Sequence, residues 1–245
     1  MIADFSKLFH QSSKDGSKGH PPIPANFDEW PDEWKTTYYK SYPRLPKIGL
    51  EDKPPAADFF DLIKRRKSQR DFSRTPLAKY ELSILLKYSC GNTGPLEKGR
   101  SRRAQASGGA RFPIEVYPIV FRPGADLPAG LYHYNVKDHA LDVLWERNFS
   151  DEDIHQIFTY PWVKDAAVGI VMTAVFWRNQ MKYGERGYRY ILLEAGHIGQ
   201  NFYLTSEALG IKCCALGGTM DQNLERLIDI DGVTESVVYG FAIGK

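Results

Sequence analysis

Two hydrophobic periodicities alternate along this chain from residue 56 onward, and neither is present before it. Residues 58–66 set Phe59, Leu62 and Ile63 three and four apart, and residues 76–87 repeat the spacing with Leu77, Leu82, Leu85 and Leu86, so both are expected to be amphipathic helices. Residues 90–106 are rich in Gly, Arg and Ser and read as a loop. Residues 114–121 are β-branched and aromatic, which predicts a strand, and 131–135 with 140–144 predict a hairpin around Lys137, Asp138 and His139. Ser150 is a good N-cap for a helix over 151–158, with acids in its first turn. Residues 166–175 are almost continuously apolar, as a strand buried on both faces should be. A long helix over 188–209 ends at Gly210, where a left-handed cap costs little, and its Ala195, Gly196 and Gly199 leave room for a helix or a ring to approach. A short strand (212–216), a helix (221–228) and a last strand (237–243) complete the pattern.

Strands and helices therefore mix without a strict βα repeat, and no glycine fingerprint for a dinucleotide follows any strand. The expectation is an α+β fold with helices packed on a sheet. Residues 1–55 differ. They are rich in Pro, Lys and Asp and carry Trp30, Trp34, Tyr38, Tyr39 and Tyr42, too many aromatics for a plain linker. An extended arm is expected there, lying across the body or a partner, with a mobile loop at residues 14–19. The division is thus an arm over 1–55 and one domain over 56–245.

Composition narrows the class. With 32 basic and 30 acidic residues in 245, the net charge of +2 gives no reason to expect nucleic acid. No apolar run is long enough for a bilayer and residues 1–13 carry polar breaks, so no membrane and no signal peptide are expected, and a cytoplasmic location is. Cys90, Cys213 and Cys214 are sparse and lack metal-ligand spacing, and His10, His20, His133, His139 and His155 are scattered; reduced thiols and no metal site follow.

Four stretches carry candidate chemistry. Residues 65–70 place Arg65, Arg66, Lys67, Ser68 and Arg70 within six positions, a set able to clamp a phosphate or to serve as the solvated end of a helix. Ser107, Gly108 and Gly109 lead into a strand, and glycines there let backbone approach a flat ring or close an ordinary loop. Gly217 and Gly218 stand between a strand and a helix, where they either present a backbone N–H to a cofactor or make a turn. Lys182 and Tyr183 set an amine beside a phenol, two groups able to move protons or a common surface dipeptide. Glu194 and His197 share a helix face as a buried pair, a substrate contact or neither.

Taken together and in chain order, over about residues 58–244, the four stretches resemble the nitroreductase-like flavoprotein superfamily. They resemble most its SagB-type dehydrogenase branch, the azoline oxidases of thiazole- and oxazole-forming peptide pathways and related nonribosomal pathways. Arg66–Phe72 is similar to that family's Arg-x-Ser-x-Arg-x-Phe motif. Arg102-Arg103, Ser107-Gly108-Gly109-Ala110 and Pro113-Ile114-Glu115-Val116-Tyr117 are similar to its Arg-Arg…Pro-Ser-Gly-Gly-Ala…Pro-Ile-Glu-x-Tyr segment. Lys182-Tyr183 matches its lysine–tyrosine pair, Glu194-Ala195-Gly196-His197 its central helix, and Phe9-His10 with Lys40…Tyr42-Pro43 its arm. Ala106 stands where proline is usual and Phe112 where His or Tyr is common, and Lys245 is the one residue left to stand for the basic C-terminal residues of many relatives.

The resemblance implies a mixed, mainly antiparallel sheet and FMN held between the subunits of a homodimer. Arg66, Lys67, Ser68 and Arg70 would hold the phosphate and ribityl chain; Ser107, Gly108 and Gly109 would line the ring; Gly217 and Gly218 would point N–H groups at it. It further implies that Lys182 and Tyr183 carry azoline oxidation on a peptide or carrier-bound substrate, alongside other biosynthetic enzymes. Two alternatives stand beside it: an NAD(P)H-dependent nitro, quinone or ene reductase, and a flavin-free scaffold that binds a peptide.

Overall fold

The computed structural model describes residues 5–14, 23–96 and 100–245. The loop expected at 14–19 lies, except for Lys14, outside the described residues, as does His20. The strands are β1 (Lys47–Gly49), β2 (Asn92–Pro95), β3 (Ser101–Arg103), β4 (Ile114–Val120), β5 (Gly130–Asn135), β6 (Ala140–Glu146), β7 (Val168–Val175), β8 (Lys212–Leu216) and β9 (Glu235–Gly244). The helices are α1 (Phe5–Ser12), α2 (Asp32–Lys35), α3 (Phe59–Arg65), α4 (Lys79–Cys90), α5 (Asp151–His155), α6 (Trp177–Tyr183), α7 (Arg186–Leu209) and α8 (Asp221–Ile228).

Seven strands form one sheet in the order β1-β6-β5-β4-β7-β9-β8. Every pairing in it is antiparallel, as the α+β reading requires. The apolar run at 166–175 becomes β7 near the middle of the sheet, with every residue buried. Because strand side chains alternate, Val168, Ile170, Met172 and Ala174 enter one core and Val171 enters the other. The first core lies under α4 and α7, through Leu82, Leu85, Leu86, Ile191, Ala195, Ile198 and Phe202. The second is closed by Ile154, Val163, Leu224 and Ile228. α7 presses so closely on β9 that a Cβ on Gly199 would stand 2.8 Å from the Phe241 ring.

Several boundaries move, and each has a cause. Residues 90–106 contain the β2–β3 ribbon, with Asn92 opposite Arg103, where a loop was expected; its composition has no strand preference, and backbone pairing supplies the structure. α5 stops at His155 because Phe158 turns away to bridge Thr219. α7 begins at Arg186, and β9 runs from Glu235, both earlier than the spacing predicts. The arm is not simply extended: it holds α1, α2 and β1, and β1 joins the main sheet along β6. On α3 only Leu62 is buried, while Phe59, Phe60 and Ile63 face outward. Cys90, Cys213 and Cys214 are free and buried. Among the described residues no helix is long and apolar enough to cross a membrane.

Candidate functional site

α6 and α7 meet at Gly184, whose φ of 51° makes the sharp turn, and Lys182 and Tyr183 are the last residues of α6. The pair sits inside the protein, with Lys182 only 1% exposed. The arm supplies the cover: Nζ lies 3.1 Å from the ring centroid of Trp30 and 5.6 Å from that of Trp34. The floor is Gly109, where a Cβ would collide with the Tyr183 hydroxyl and stand 3.3 Å from Lys182 Nζ. Gly108 beside it is closely packed, since a Cβ there would press on Tyr190 at 3.3 Å. Two stretches read separately from the sequence, 107–109 and 182–183, thus form one place.

Burial disfavours an ammonium, and the guanidiniums of Arg111 and Arg100 add to it, so Lys182 is pushed down to about 8. The indole face attracts a cation and works the other way. Tyr183 is pushed up, mainly by burial, and keeps its proton as a donor.

The turn under this pair is strained. Gly109, Ala110 and Phe112 have φ of 65°, 54° and 49°, and for the two non-glycine residues that conformation costs roughly 1–2 kcal/mol each. Ser107 holds it, its Oγ accepting from Phe112 N at 2.9 Å and its carbonyl from Ala110 N at 3.1 Å. Between the two strained residues Arg111 points inward and reaches the arm, donating to the carbonyls of Glu33 and Trp34.

The arm is also clipped to the sheet. Lys40 donates to Glu235 and to the Tyr117 hydroxyl, both at 2.6 Å, and Tyr42 N donates to Asp142 at 3.2 Å. These belong to a buried polar network in which Glu115 meets Arg178 at 2.5 Å and His133 at 2.9 Å, and His133 meets Asp142 at 3.1 Å. Burial would raise Glu115, but Arg178 and His133 hold it down at about 2. Burial would lower His133, but Asp142 and Glu115 hold it above its ordinary value.

The second group of expected residues gathers elsewhere. Residues 66–70 lie along β8, with Gln69 N bonded to Cys213 O at 3.0 Å. The Ser68 and Tyr203 hydroxyls are 2.9 Å apart and Arg66 lies over the Tyr203 ring at 5.2 Å. Arg70 lies over Trp162, which stacks on Tyr160, and Tyr160 is 3.2 Å from where a Gly218 Cβ would be. Gly217 has open space around it. Among the described residues, Arg66, Lys67 and Arg70 have no carboxylate within ion-pair distance, as a set free to hold a phosphate requires. Lys245 is instead paired with Glu81 at 3.0 Å.

Tyr190 at Gly108 and Tyr203 at Ser68 are thirteen positions apart on α7, about 20 Å at 1.5 Å per residue. One chain therefore carries its expected site residues as two separate groups. Near the first, Glu194 is buried and bonded through Oε1 to Gln105 Nε2 at 3.1 Å, while Glu194 Oε2 and Gln105 Oε1 have no hydrogen-bond partner among the described residues. Burial pushes Glu194 up to about 7, against the lowering influence of the neighbouring Ser107 and Gln105 side chains. His197 is exposed and faces Ala106 O at 3.2 Å, so the two are not a pair. Both line a cavity of about 230 Å³ with Ser107, Gly108, Tyr190 and Leu193.

Sequence reading missed Trp30, Trp34 and Arg111 as neighbours of the amine, and the network around Glu115. Glu115, His133 and Asp142 did leave a signal, as ionisable residues inside strand patterns; Arg111 left none.

The profile of the nitroreductase family matches residues 63–245. A nitroreductase by name from Methanocaldococcus jannaschii is 29% identical over 188 residues, covering 77% of this chain and 88% of that protein. Trifolitoxin-processing protein TfxB of Rhizobium leguminosarum bv. trifolii is 29% identical over 172 residues, 67% of this chain and 46% of its own. Microcin B17-processing protein McbC of Escherichia coli is 24% identical over 229 residues, 85% and 82% of the two chains. A nitroreductase structure from Anabaena variabilis shares the fold at TM-score 0.70 and 24% identity, over 97% of this chain, which spans 45% of that longer one. The E. coli microcin synthetase McbBCD complex, with truncated pro-MccB17 bound, matches at TM-score 0.63 and 19% identity over 98% and 91%. An FMN complex from Exiguobacterium sibiricum matches at TM-score 0.53 and 13% identity over 79% and 90%.

Proposed function

The chain belongs to the nitroreductase family, and on that premise we propose that it is an FMN-dependent dehydrogenase oxidising thiazoline or oxazoline rings of a peptide or carrier-bound intermediate to thiazole or oxazole. The observation that carries this is Lys182, an amine almost without solvent, flanked by Arg111 and Arg100 and set down to about 8. An amine so placed gives up its proton near neutral pH and can take another from carbon. Relatives that process trifolitoxin and microcin B17, and the resemblance to the SagB-type branch, support the substrate class.

The residues present fit FMN. Arg66, Lys67, Ser68 and Arg70 would hold its phosphate and ribityl oxygens, Ser107, Gly108 and Gly109 would line the ring, and Gly217 and Gly218 would offer N–H groups. FMN held there would supply the hydride acceptor, with dioxygen as the two-electron oxidant that restores it. Lys182 removes the proton from the neighbouring ring carbon. Tyr183, whose hydroxyl faces the same glycine, orients the ring or relays that proton, while the indoles of Trp30 and Trp34 keep water from the amine.

Separation of the two groups along α7 supports a homodimer. A two-fold axis through antiparallel α7 helices would bring the Lys182 end of one copy to the Arg66 end of the other. Leu192, Leu193 and the open Gly196 on that helix, and Phe59, Phe60 and Ile63 on α3, offer the apolar surface. The proposal includes the arm over 1–55, the FMN-binding domain over 56–245, a cytoplasmic location and other biosynthetic enzymes as partners.

Incubation of the purified protein with a thiazoline peptide in air, followed by mass spectrometry, should show loss of two hydrogens per ring. Lys182→Ala should remain yellow and turn over roughly 10²–10⁴-fold more slowly; undiminished turnover would refute the assignment. The name of the M. jannaschii relative favours a second reading, an NAD(P)H-dependent reductase. Rapid anaerobic bleaching of the flavin by NADPH, with no azoline oxidation, would select it.

A further inference from the structure

We propose that Arg111 is a positioning residue that closes the arm over Lys182; this deepens the reading of Lys182 as the proton acceptor and rests on it. Arg111 is 1% exposed, and its guanidinium joins three pieces of chain. Nε donates to Arg178 O on α6 at 3.0 Å, Nη1 to Trp34 O at 2.6 Å and Nη2 to Glu33 O at 2.8 Å. The two arm carbonyls belong to α2, a helix of four residues too short to give its C=O groups intrahelical partners beyond the first. A planar fork holds two adjacent carbonyls with donors on separate nitrogens and still reaches a third through Nε, a geometry that a lysine's single nitrogen does not reproduce.

The consequence lies over the amine. α2 carries Trp34, and Trp30 just before it is held by its own Nε1 donating to Pro24 O at 2.8 Å. Arg111 thus ties to α6, the helix of Lys182, the same segment that covers Lys182. The turn is built for this: the strained Ala110 and Phe112 flank Arg111 and aim it inward, as strain at functional sites often does. Among the described residues, the groups that face the amine belong to this assembly: Trp30 and Trp34 from the arm, Gly109 and Arg111 from the turn, Arg100 from beside the ribbon, and Tyr183 from its own helix. Arg111 acts on Lys182 twice, by excluding water and by its charge, and both effects lower the amine in the same direction.

The test needs neither substrate nor turnover. The Lys182 midpoint is followed by NMR of protein labelled at lysine Cε, with the signal assigned through Lys182→Arg. Cover is read as the rate of Lys182 acetylation at a pH where the amine is neutral in every variant, using peptide mass spectrometry. Arg111→Gln should raise the midpoint from about 8 toward the ordinary lysine value of about 10.4. It should also speed acetylation roughly tenfold, as expected when a lost hydrogen bond shifts a closing equilibrium. Arg111→Lys, which keeps the charge but not the fork and guards against a failure to fold, should speed acetylation with a smaller rise in midpoint. A midpoint still near 8 in Arg111→Gln, or acetylation unchanged in both variants, overturns the proposal. Because no azoline is involved, that result is independent of whether the protein oxidises one.

Discussion

Glu194 sits on the inner face of α7 with Gln105 on one oxygen and, among the described residues, no hydrogen-bond partner on the other. Its carboxyl is raised from an ordinary 4.5 to about 7, so the folded chain keeps a proton that the unfolded chain has already released. Stability therefore falls as pH climbs from about 4.5 to about 7 and is level above that, a loss of about 3 kcal/mol from this group. Glu194→Gln has no such group to ionise. Urea unfolding should show parent and variant similar at pH 4.5 and the variant more stable at pH 8. A constant difference across that range would mean that Glu194 ionises as freely in the fold as out of it. The sequence put this residue on a helix face but did not tell its fate from that of His197, because burial is set by what α7 lies against.

α7 shows how one element serves two surfaces. Gly199 faces β9, where an alanine Cβ would meet Phe241 at 2.8 Å and Tyr239 at 3.3 Å, so Gly199→Ala should lower stability by about 1–3 kcal/mol. Gly196, three residues earlier, faces open space. Gly196→Ala should make the helix itself more stable by up to about 1 kcal/mol and, if α7 pairs with its copy, weaken the pairing. Calorimetry beside sedimentation separates the two effects, and unaltered self-association would show that this face stays wet. The spacing placed both glycines on the helix, and only packing distinguished them. It likewise found α4, β7, β8 and α8 and failed at β2 and β3. Those short strands have no periodicity of their own and exist because each supplies the other's hydrogen bonds.

At the scale of the molecule, the α7 ends set the argument. If the Lys182 group of one copy completes the arginine group of another, dimerisation and flavin binding stand or fall together. Leu193 is 59% exposed and in the middle of the proposed contact, so Leu193→Lys should leave the single-chain fold intact. The variant should run as a monomer in size-exclusion chromatography and lose its yellow colour. A monomer that retains FMN would defeat the shared site, leaving the family assignment untouched.

Local spacing fixed most helices and strands, the α+β class and the residue types with useful chemistry, because periodicity and capping act between residues close in sequence. The resemblance joined those residues into a motif set. What neither revealed is that Trp30, Trp34, Gly109, Arg111 and Lys182 form one enclosure, for the arm, the turn and α6 meet only once the sheet is folded. Titration behaviour belongs to that second level. An amine on a short helix is ordinary in water, and it becomes easily deprotonated only when distant parts of the chain remove the water and bring two guanidiniums near.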